Sequence, residues 1–225
     1  MLRAVVFDFD GVIANSEPLH YQSFRDVLAD VGIVLSERDY YAKYLGYDDV
    51  GVFKAVAAEG GRSWSMDRVE ELVRLKAVRI ERLEQDGSAL FRGADAAIRR
   101  VAALVPLAIA SGALGAEIRR VLDRERLTPC FKAIVAAEDT PVSKPAADPY
   151  TRAVALLAEA AGHPMRPSEC VAIEDSPWGL QSARAAGLRT IAVAHTYERS
   201  VLEADAVIAS LDELEAGLLT RVCAD

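Results

Sequence analysis

The sequence predicts an α/β protein, a Rossmann-like doubly wound parallel sheet with a helical cap inserted into it. Three observations predict this. Short apolar runs of the kind that form fully buried strands alternate with segments of helical periodicity, the pattern of a parallel sheet covered on both faces. Each of the four clearest runs stops just before polar residues or glycine, so chemistry should collect at the carboxyl edge of the sheet. Residues 17–87 break the alternation, because there helix follows helix with no convincing strand.

Ala4–Phe7 is the first strand, a run of four apolar residues that leads directly into Asp8-Phe9-Asp10-Gly11-Val12. Two carboxylates at i and i+2 after a buried strand cannot be core residues, since an unpaired buried charge is too costly. A solvated turn with incidental acids is the plain alternative, and Gly11 allows the backbone to approach an anion closely. The inserted segment opens at Asn15-Ser16-Glu17-Pro18, a cap signal with proline in the first turn, and closes at the loop Asp86-Gly87-Ser88. These boundaries give a discontinuous core, 1–16 with 88–225, and a cap, 17–87. An insertion directly after the first strand is placed where a lid would act.

Helical patterns over Ala94–Leu104 and Ala116–Arg126 flank the second strand, Leu107–Ala110, which runs into Ser111-Gly112-Ala113. A small hydroxyl beside backbone amides suits a phosphate oxygen, although Ser-Gly alone is foremost a turn signal. The third strand, Ala133–Ala136, precedes Ser143-Lys144-Pro145 and Asp148. Lys144 can neutralise a phosphate as a point charge, although a lone loop lysine is ordinarily solvated. Asp148 is expected to cap the helix over Tyr150–Ala161. The fourth strand, Val171–Ile173, ends at Glu174-Asp175-Ser176-Pro177, a second acid pair, with Pro177 opening a helix to Ala186. Ile191–Val193 and Ala206–Ile208 complete the strands, and Leu211–Leu219 reads as a last helix. Two acid pairs, a hydroxyl and a lysine thus all fall at strand ends, and their joint occurrence is what carries a functional reading.

The chemistry open to these groups is narrow. Carboxylates without a histidine cluster suit a hard, oxygen-liking cation, with Mg2+ the best candidate. Metal and lysine together can cancel the repulsion between a carboxylate and a phosphate dianion, one aspartate then attacking and a second serving as acid and base. In the cap, a helix over Val69–Leu83 would carry an apolar stripe of Val69, Leu72, Val73, Ile80 and Leu83 with Lys76 at its centre. A lysine there must snorkel out or meet an anion. His20 shares a face with Phe24, Val27, Leu28 and Val31, where it is either a hydrogen-bonded core histidine or a functional group. Trp64 and Trp178 read as packing residues.

With these motifs in order, DFDGV at 8–12, Ser111, Lys144 and Glu174-Asp175, the chain resembles the haloacid dehalogenase superfamily along essentially its whole length. Within it, the resemblance is to the branch of beta-phosphoglucomutases and phosphoglycolate phosphatase-like enzymes. The resemblance implies a nucleophile at Asp8 and a general acid–base at Asp10. It also implies magnesium held by Asp8, the Asp10 carbonyl, Glu174 and Asp175. Ser111, the Gly112 amide and Lys144 would bind the transferred phosphoryl group, and His20 and Lys76 would face the substrate from the cap, which would close over the carboxyl edge. The segment Lys144-Pro145-Ala146-Ala147-Asp148 differs mildly from the family's usual KPxPD. Dehalogenases of the family lack the second aspartate, so Asp10 argues for phosphoryl chemistry.

A magnesium-dependent phosphatase acting on a small phosphorylated metabolite is therefore expected, with a phosphosugar mutase of the beta-phosphoglucomutase type as the alternative. Mutases of that type place an arginine after a Gly-x-Ser turn in the cap. Leu45-Gly46-Tyr47-Asp48-Asp49 is acidic there, which favours the phosphatase. A phospho-accepting signalling domain would lack both the large helical insertion and the lysine. The net charge of −8 argues against nucleic acid or an anionic membrane as partner. Cys130, Cys170 and Cys223 form neither a CxxC pair nor an even framework, which suits a reducing compartment. The first residues reach charge too early for a signal peptide, and no apolar run nears the roughly 20 residues of a membrane span. A cytoplasmic monomer is expected.

Overall fold

A computed structural model describes residues 1–44, 47, 49–85 and 89–224. Loop Asp86-Gly87-Ser88 and positions 45, 46 and 48 of the acidic cap turn lie outside the described residues. The chain divides into two compact units, Met1–Asn15 with Ala89–Asp225, and Ser16–Ser88.

The first unit is built on a parallel sheet of β1 (Ala4–Phe7), β2 (Leu107–Ala110), β3 (Phe131–Val135), β4 (Cys170–Glu174), β5 (Arg189–Val193) and β6 (Ala206–Ile208), in the order β3-β2-β1-β4-β5-β6. Every pairing is parallel, with Val5 opposite Leu107 on one side and Val171 on the other. β1, β2 and β4 are buried throughout, β1 and β2 as unbroken apolar runs and β4 as the run Cys170–Ile173 closed by a buried Glu174. The chain moves outward from β1 to β3 and then returns to β4, so the order reverses between β1 and β4. Ligands of such sheets bind outside the carboxyl ends of the strands at that reversal.

The helices of this unit are amphipathic. In α5 (Ala94–Ala102), Ala94, Ala97, Ile98 and Val101 are buried, and in α6 (Gly115–Arg124), Gly115, Ile118, Val121 and Leu122. That spacing is one helical face turned toward the core. In α7 (Asp148–Ala161), Tyr150, Ala153, Val154 and Leu157 pack on Ala4, Val6, Ala108, Ala110 and Ala172. Small residues on that face of the sheet let the helix approach and bring Tyr150 beneath the ends of the strands. α8 (Pro177–Ala185) is capped by the Ser176 hydroxyl, which accepts the Gly179 N–H at 3.1 Å.

The second unit comprises α1 (Glu17–Asp30), the single turn α2 (Glu37–Asp39), a π-helical segment over Tyr40–Tyr44, α3 (Asp49–Glu59) and α4 (Met66–Gln85). No strand occurs in it among the described residues. Its core is Phe24, Val27, Leu28, Val52, Phe53, Val69 and Leu72 with the rings of Tyr40 and Tyr44, and Phe24 meets Phe53 edge-on at 5.2 Å.

Four expectations need correction. β3, β4 and β5 begin two, one and two residues earlier than the apolar runs, at Phe131, Cys170 and Arg189, because parallel pairing continues past the apolar stretch. The helix expected over Leu211–Leu219 is instead a 3-10 turn, Leu211–Glu213, followed by α9 (Ala216–Val222). Arg100 braces this break: its guanidinium donates to the carbonyls of Leu211 and Leu214, and the Leu211 carbonyl also accepts the Leu214 amide. Asp148 is the first residue of α7, not its cap, and makes no capping bond; its charge lies in the first turn, where the helix dipole favours it. Trp178 is 60% exposed, because it occupies the solvent side of the first turn of α8, whereas Trp64 packs on the core of the helical unit.

Candidate active site

β1 delivers Asp8 to its carboxyl end, and β4 delivers Glu174 to the adjacent end across the order reversal, with Asp175 following. The three carboxylates each place an oxygen within 4.8 Å of the others, and all three are buried. Lys144, from the loop after β3, crosses to them: its Nζ donates to Asp8 Oδ1 at 2.8 Å and to Glu174 Oε1 at 2.5 Å. Residues separated by 136 positions in the chain thus share one ion pair, which the parallel topology makes possible by aligning every carboxyl end on one edge.

Glu174 is the most fully committed of the acids. Its Oε1 also accepts the Tyr150 hydroxyl at 2.9 Å, and its Oε2 accepts the amides of Asp175 and Ser176 and the Ser176 hydroxyl. Tyr150 lies fully buried below, its ring 5.1 Å from Lys144 Nζ. Two glycines make room. A Cβ on Gly179 would stand 1.7 Å from Glu174 Oε1, and one on Gly11, whose φ is +78°, would stand 2.0 Å from Asp175 Oδ2.

The electrostatics follow from burial. Asp8 is pushed well above the ordinary carboxylate range, first by burial, with Glu174 and Asp175 adding to the rise and Lys144 opposing it. Asp175 is raised to about 7 by burial and then by Glu174. Burial works against the Lys144 ammonium, but Asp8 and Glu174 outweigh it and hold the lysine charged. The cluster carries more negative charge than one lysine neutralises. Oxygen donors only, close together and mutually repelling, fit a hard divalent cation.

The remaining expected residues take their places as follows. Asp10 stands in the same loop as Asp8, its backbone bridged to Ala14. Ser111 directly follows β2, its amide donating to the Val135 carbonyl and its Oγ accepting the Ala113 N–H at 3.0 Å. Gly112 is exposed, with nothing within 4 Å of where a side chain would begin. His20 and Lys76 belong to the helical unit, where they meet each other: Lys76 Nζ is 2.8 Å from His20 Nδ1, 2.7 Å from Asp49 Oδ1 and 4.8 Å from the centre of the Phe24 ring. Lys76 is only 2% exposed, so this lysine meets an anion instead of snorkelling to solvent. Burial, and then the neighbouring ammonium, lower the His20 pKa to about 3, which keeps the imidazole neutral.

Four residues that the sequence reading left aside also belong to the site: Tyr150, Gly179, His195 and Thr196. Tyr150 looked like one apolar-face residue of its helix, and Gly179 was hidden inside a helix. His195 and Thr196 follow β5, where a polar pair at one more strand end was the available signal.

The family model described as "Haloacid dehalogenase-like hydrolase" matches residues 5–193. Hexitol phosphatase B of Escherichia coli (strain K12) is 34% identical over 220 residues, 96% of this chain and 95% of that protein. Fructose-1-phosphate phosphatase YqaB of the same strain is 28% identical, over 84% of this chain and 95% of that protein. Among solved structures, a beta-phosphoglucomutase from Clostridium difficile superimposes with a TM-score of 0.79 at 19% identity, covering 99% of this chain and 97% of that one, a likeness of fold. CbbY from Rhodobacter sphaeroides, solved with xylulose-(1,5)bisphosphate, superimposes with a TM-score of 0.77 at 25% identity, covering 95% of this chain and 96% of that one.

Proposed function

Because the chain belongs to the haloacid dehalogenase-like hydrolase family, we propose that it is a magnesium-dependent phosphatase that hydrolyses a small sugar or polyol monophosphate through a phospho-aspartate at Asp8. The observation that carries this reading is Lys144 set between Asp8 and Glu174 at 2.8 and 2.5 Å, beside Asp175. A lysine so placed offsets the charge of an incoming phosphate and opposes the rise that burial imposes on the Asp8 carboxyl. The phosphatase names of two relatives, each matched over most of its length, support the reaction class.

Each residue then has a task. An Asp8 oxygen attacks phosphorus, and Asp10 gives its proton to the departing ester oxygen. Ser111 and the Gly112 amide hold the equatorial oxygens, and Lys144 stabilises their charge. Asp10, now ionised, takes a proton from the water that attacks the phosphoryl group, and Asp8 is restored. Asp8, the Asp10 carbonyl, Glu174 and Asp175 would hold the magnesium, which supplies the charge needed to bring two anions together. His20 and Lys76 are proposed substrate residues of the helical unit.

Substrates with one phosphate are favoured over a bisphosphate. Lys76 is already neutralised by Asp49 at 2.7 Å, so the pair offers no spare positive charge to a second phosphate. The test is phosphate release from hexitol phosphates, fructose 1-phosphate, phosphoglycolate and nucleotides, with glucose 6-phosphate formation from β-glucose 1-phosphate assayed in parallel. Release from a polyol or sugar monophosphate, together with borohydride trapping of a reduced Asp8, is expected. Conversion of glucose 1-phosphate without phosphate release would establish the mutase instead.

A further inference from the structure

His195 follows β5 and has no part in the reaction as set out above. Its Nδ1 lies 2.9 Å from the carbonyl oxygen of Gly11. A carbonyl only accepts, so Nδ1 carries the proton and His195 donates. The imidazole also stacks on Phe91, with ring centroids 3.9 Å apart and planes inclined by 18°. Phe91 in turn donates its own amide to the Ile13 carbonyl at 3.0 Å. One side chain therefore touches the loop after β1 directly and again through the segment that pairs with it.

The loop needs such support. Gly11 has a left-handed backbone with φ of +78°, and its Cα stands over the Asp175 carboxylate, where no side chain fits. Within the loop, Gly11 N–H bonds Ala14 at 2.9 Å, and the amides of Ile13 and Ala14 both bond Phe9 at 2.8 Å, which leaves the Gly11 carbonyl for a partner from elsewhere. The next residue, Thr196, hydrogen-bonds Asp175 through its side chain. The turn after β5 thus grips the site at two points, the loop that carries Asp10 and the carboxylate that lies against it.

We propose that His195 is a positioning residue, holding the Asp10-Gly11 segment through the Gly11 carbonyl so that the Asp10 side chain keeps the orientation its acid–base task needs. The inference rests on the phosphatase reading for its kinetic consequence and on geometry alone for its structural one.

Two variants separate the bond from the packing. His195→Phe keeps the stack on Phe91 and loses the donor; His195→Asn keeps a donor at the position of Nδ1 and loses the stack. With a hexitol phosphate and with para-nitrophenyl phosphate, H195F should lower kcat on the order of tenfold, the rate equivalent of one lost hydrogen bond, with KM changed less than about twofold. H195N should recover to within about threefold of the unaltered enzyme. Amide hydrogen exchange provides the readout that needs no activity: the amides of Gly11, Ile13 and Ala14 should exchange faster in H195F and at the original rate in H195N. Unaltered kcat and exchange in H195F would overturn the proposal. So would equal losses in both variants in step with a lowered melting temperature, since that pattern belongs to packing. If the unaltered protein releases no phosphate from any substrate, the phosphatase reading falls, and the exchange comparison still decides whether His195 holds the loop.

Discussion

Asp8 and Asp175 are both buried acids beside a third, yet they have different partners and different consequences. Asp8 is bonded by Lys144, and replacing its carboxylate by an amide of equal volume removes the oxygen proposed to attack phosphorus without opening a cavity. Asp8→Asn should lower kcat by at least about a thousandfold while the melting temperature stays within a few degrees. A folded variant with more than a small fraction of the original rate would remove Asp8 from its role. Burial followed by Glu174 raises Asp175 from 3.8 to about 7, with Thr196 and Lys144 only opposing the rise. An acid whose folded pKa is raised binds its proton more tightly when folded, so it costs no stability below pH 4. Its cost grows as pH rises through the window to about 7 and persists above it. In chelator at pH 8, Asp175→Asn should therefore be more stable than the unaltered protein, by up to ~2–4 kcal/mol, with the gap closing at pH 4. Denaturant melts at the two pH values measure it, and a gap independent of pH would show that ionisation is not the cause.

α4 shows how an element can carry a charge inside an apolar face. Val69, Leu72 and Ile80 are buried along it, and Lys76 lies among them, tied to Asp49 of α3 and to His20 of α1. The lysine therefore joins three helices of its unit. Breaking one side of a buried pair leaves an uncompensated charge, so Lys76→Ala and Asp49→Asn should each destabilise, by about 2–3 kcal/mol given the partial exposure of Asp49. The double variant Lys76→Met with Asp49→Leu should recover most of that, as a double-mutant cycle would read. Activity separates structure from function in the same residue: as a substrate residue, Lys76→Ala lowers kcat/KM for a sugar phosphate and leaves para-nitrophenyl phosphate nearly unaffected. Equal loss on both substrates would assign the lysine to stability alone. At the far end of the chain, Arg100→Ala should cost about 1–3 kcal/mol through the lost bonds to Leu211 and Leu214, with KM unchanged.

For the molecule as a whole, magnesium is the expected link between stability and turnover. The acid cluster of Asp8, Glu174 and Asp175 is better tolerated with a bound cation than without, so magnesium should raise the melting temperature at neutral pH and chelator should abolish phosphate release. Calcium, which takes more oxygen ligands in looser geometry, should bind and inhibit. Full activity in chelator, or equal rates with calcium, would remove the metal from the reaction. No helix among the described residues is long and apolar enough to cross a membrane.

The sequence by itself determined the parallel α/β core, because fully buried strands must be continuous apolar runs and Ala4–Phe7 and Leu107–Ala110 show no other face. It also placed charges and a hydroxyl directly after such runs, where a charge has to be used or solvated. Only the tertiary structure decided which of those groups meet. That Lys144 reaches Asp8 and Glu174, that Tyr150 closes Glu174 from below, and that Gly179 leaves space for its carboxylate depend on the strand order, which no local pattern encodes. The same holds for the partner of Lys76 and for what braces the turn at Leu211–Leu214: each is a side chain far away in sequence, Asp49 in one case and Arg100 in the other. Periodicity reports the environment a segment requires. The identity of a polar partner is a long-range choice, made when the chain closes on itself.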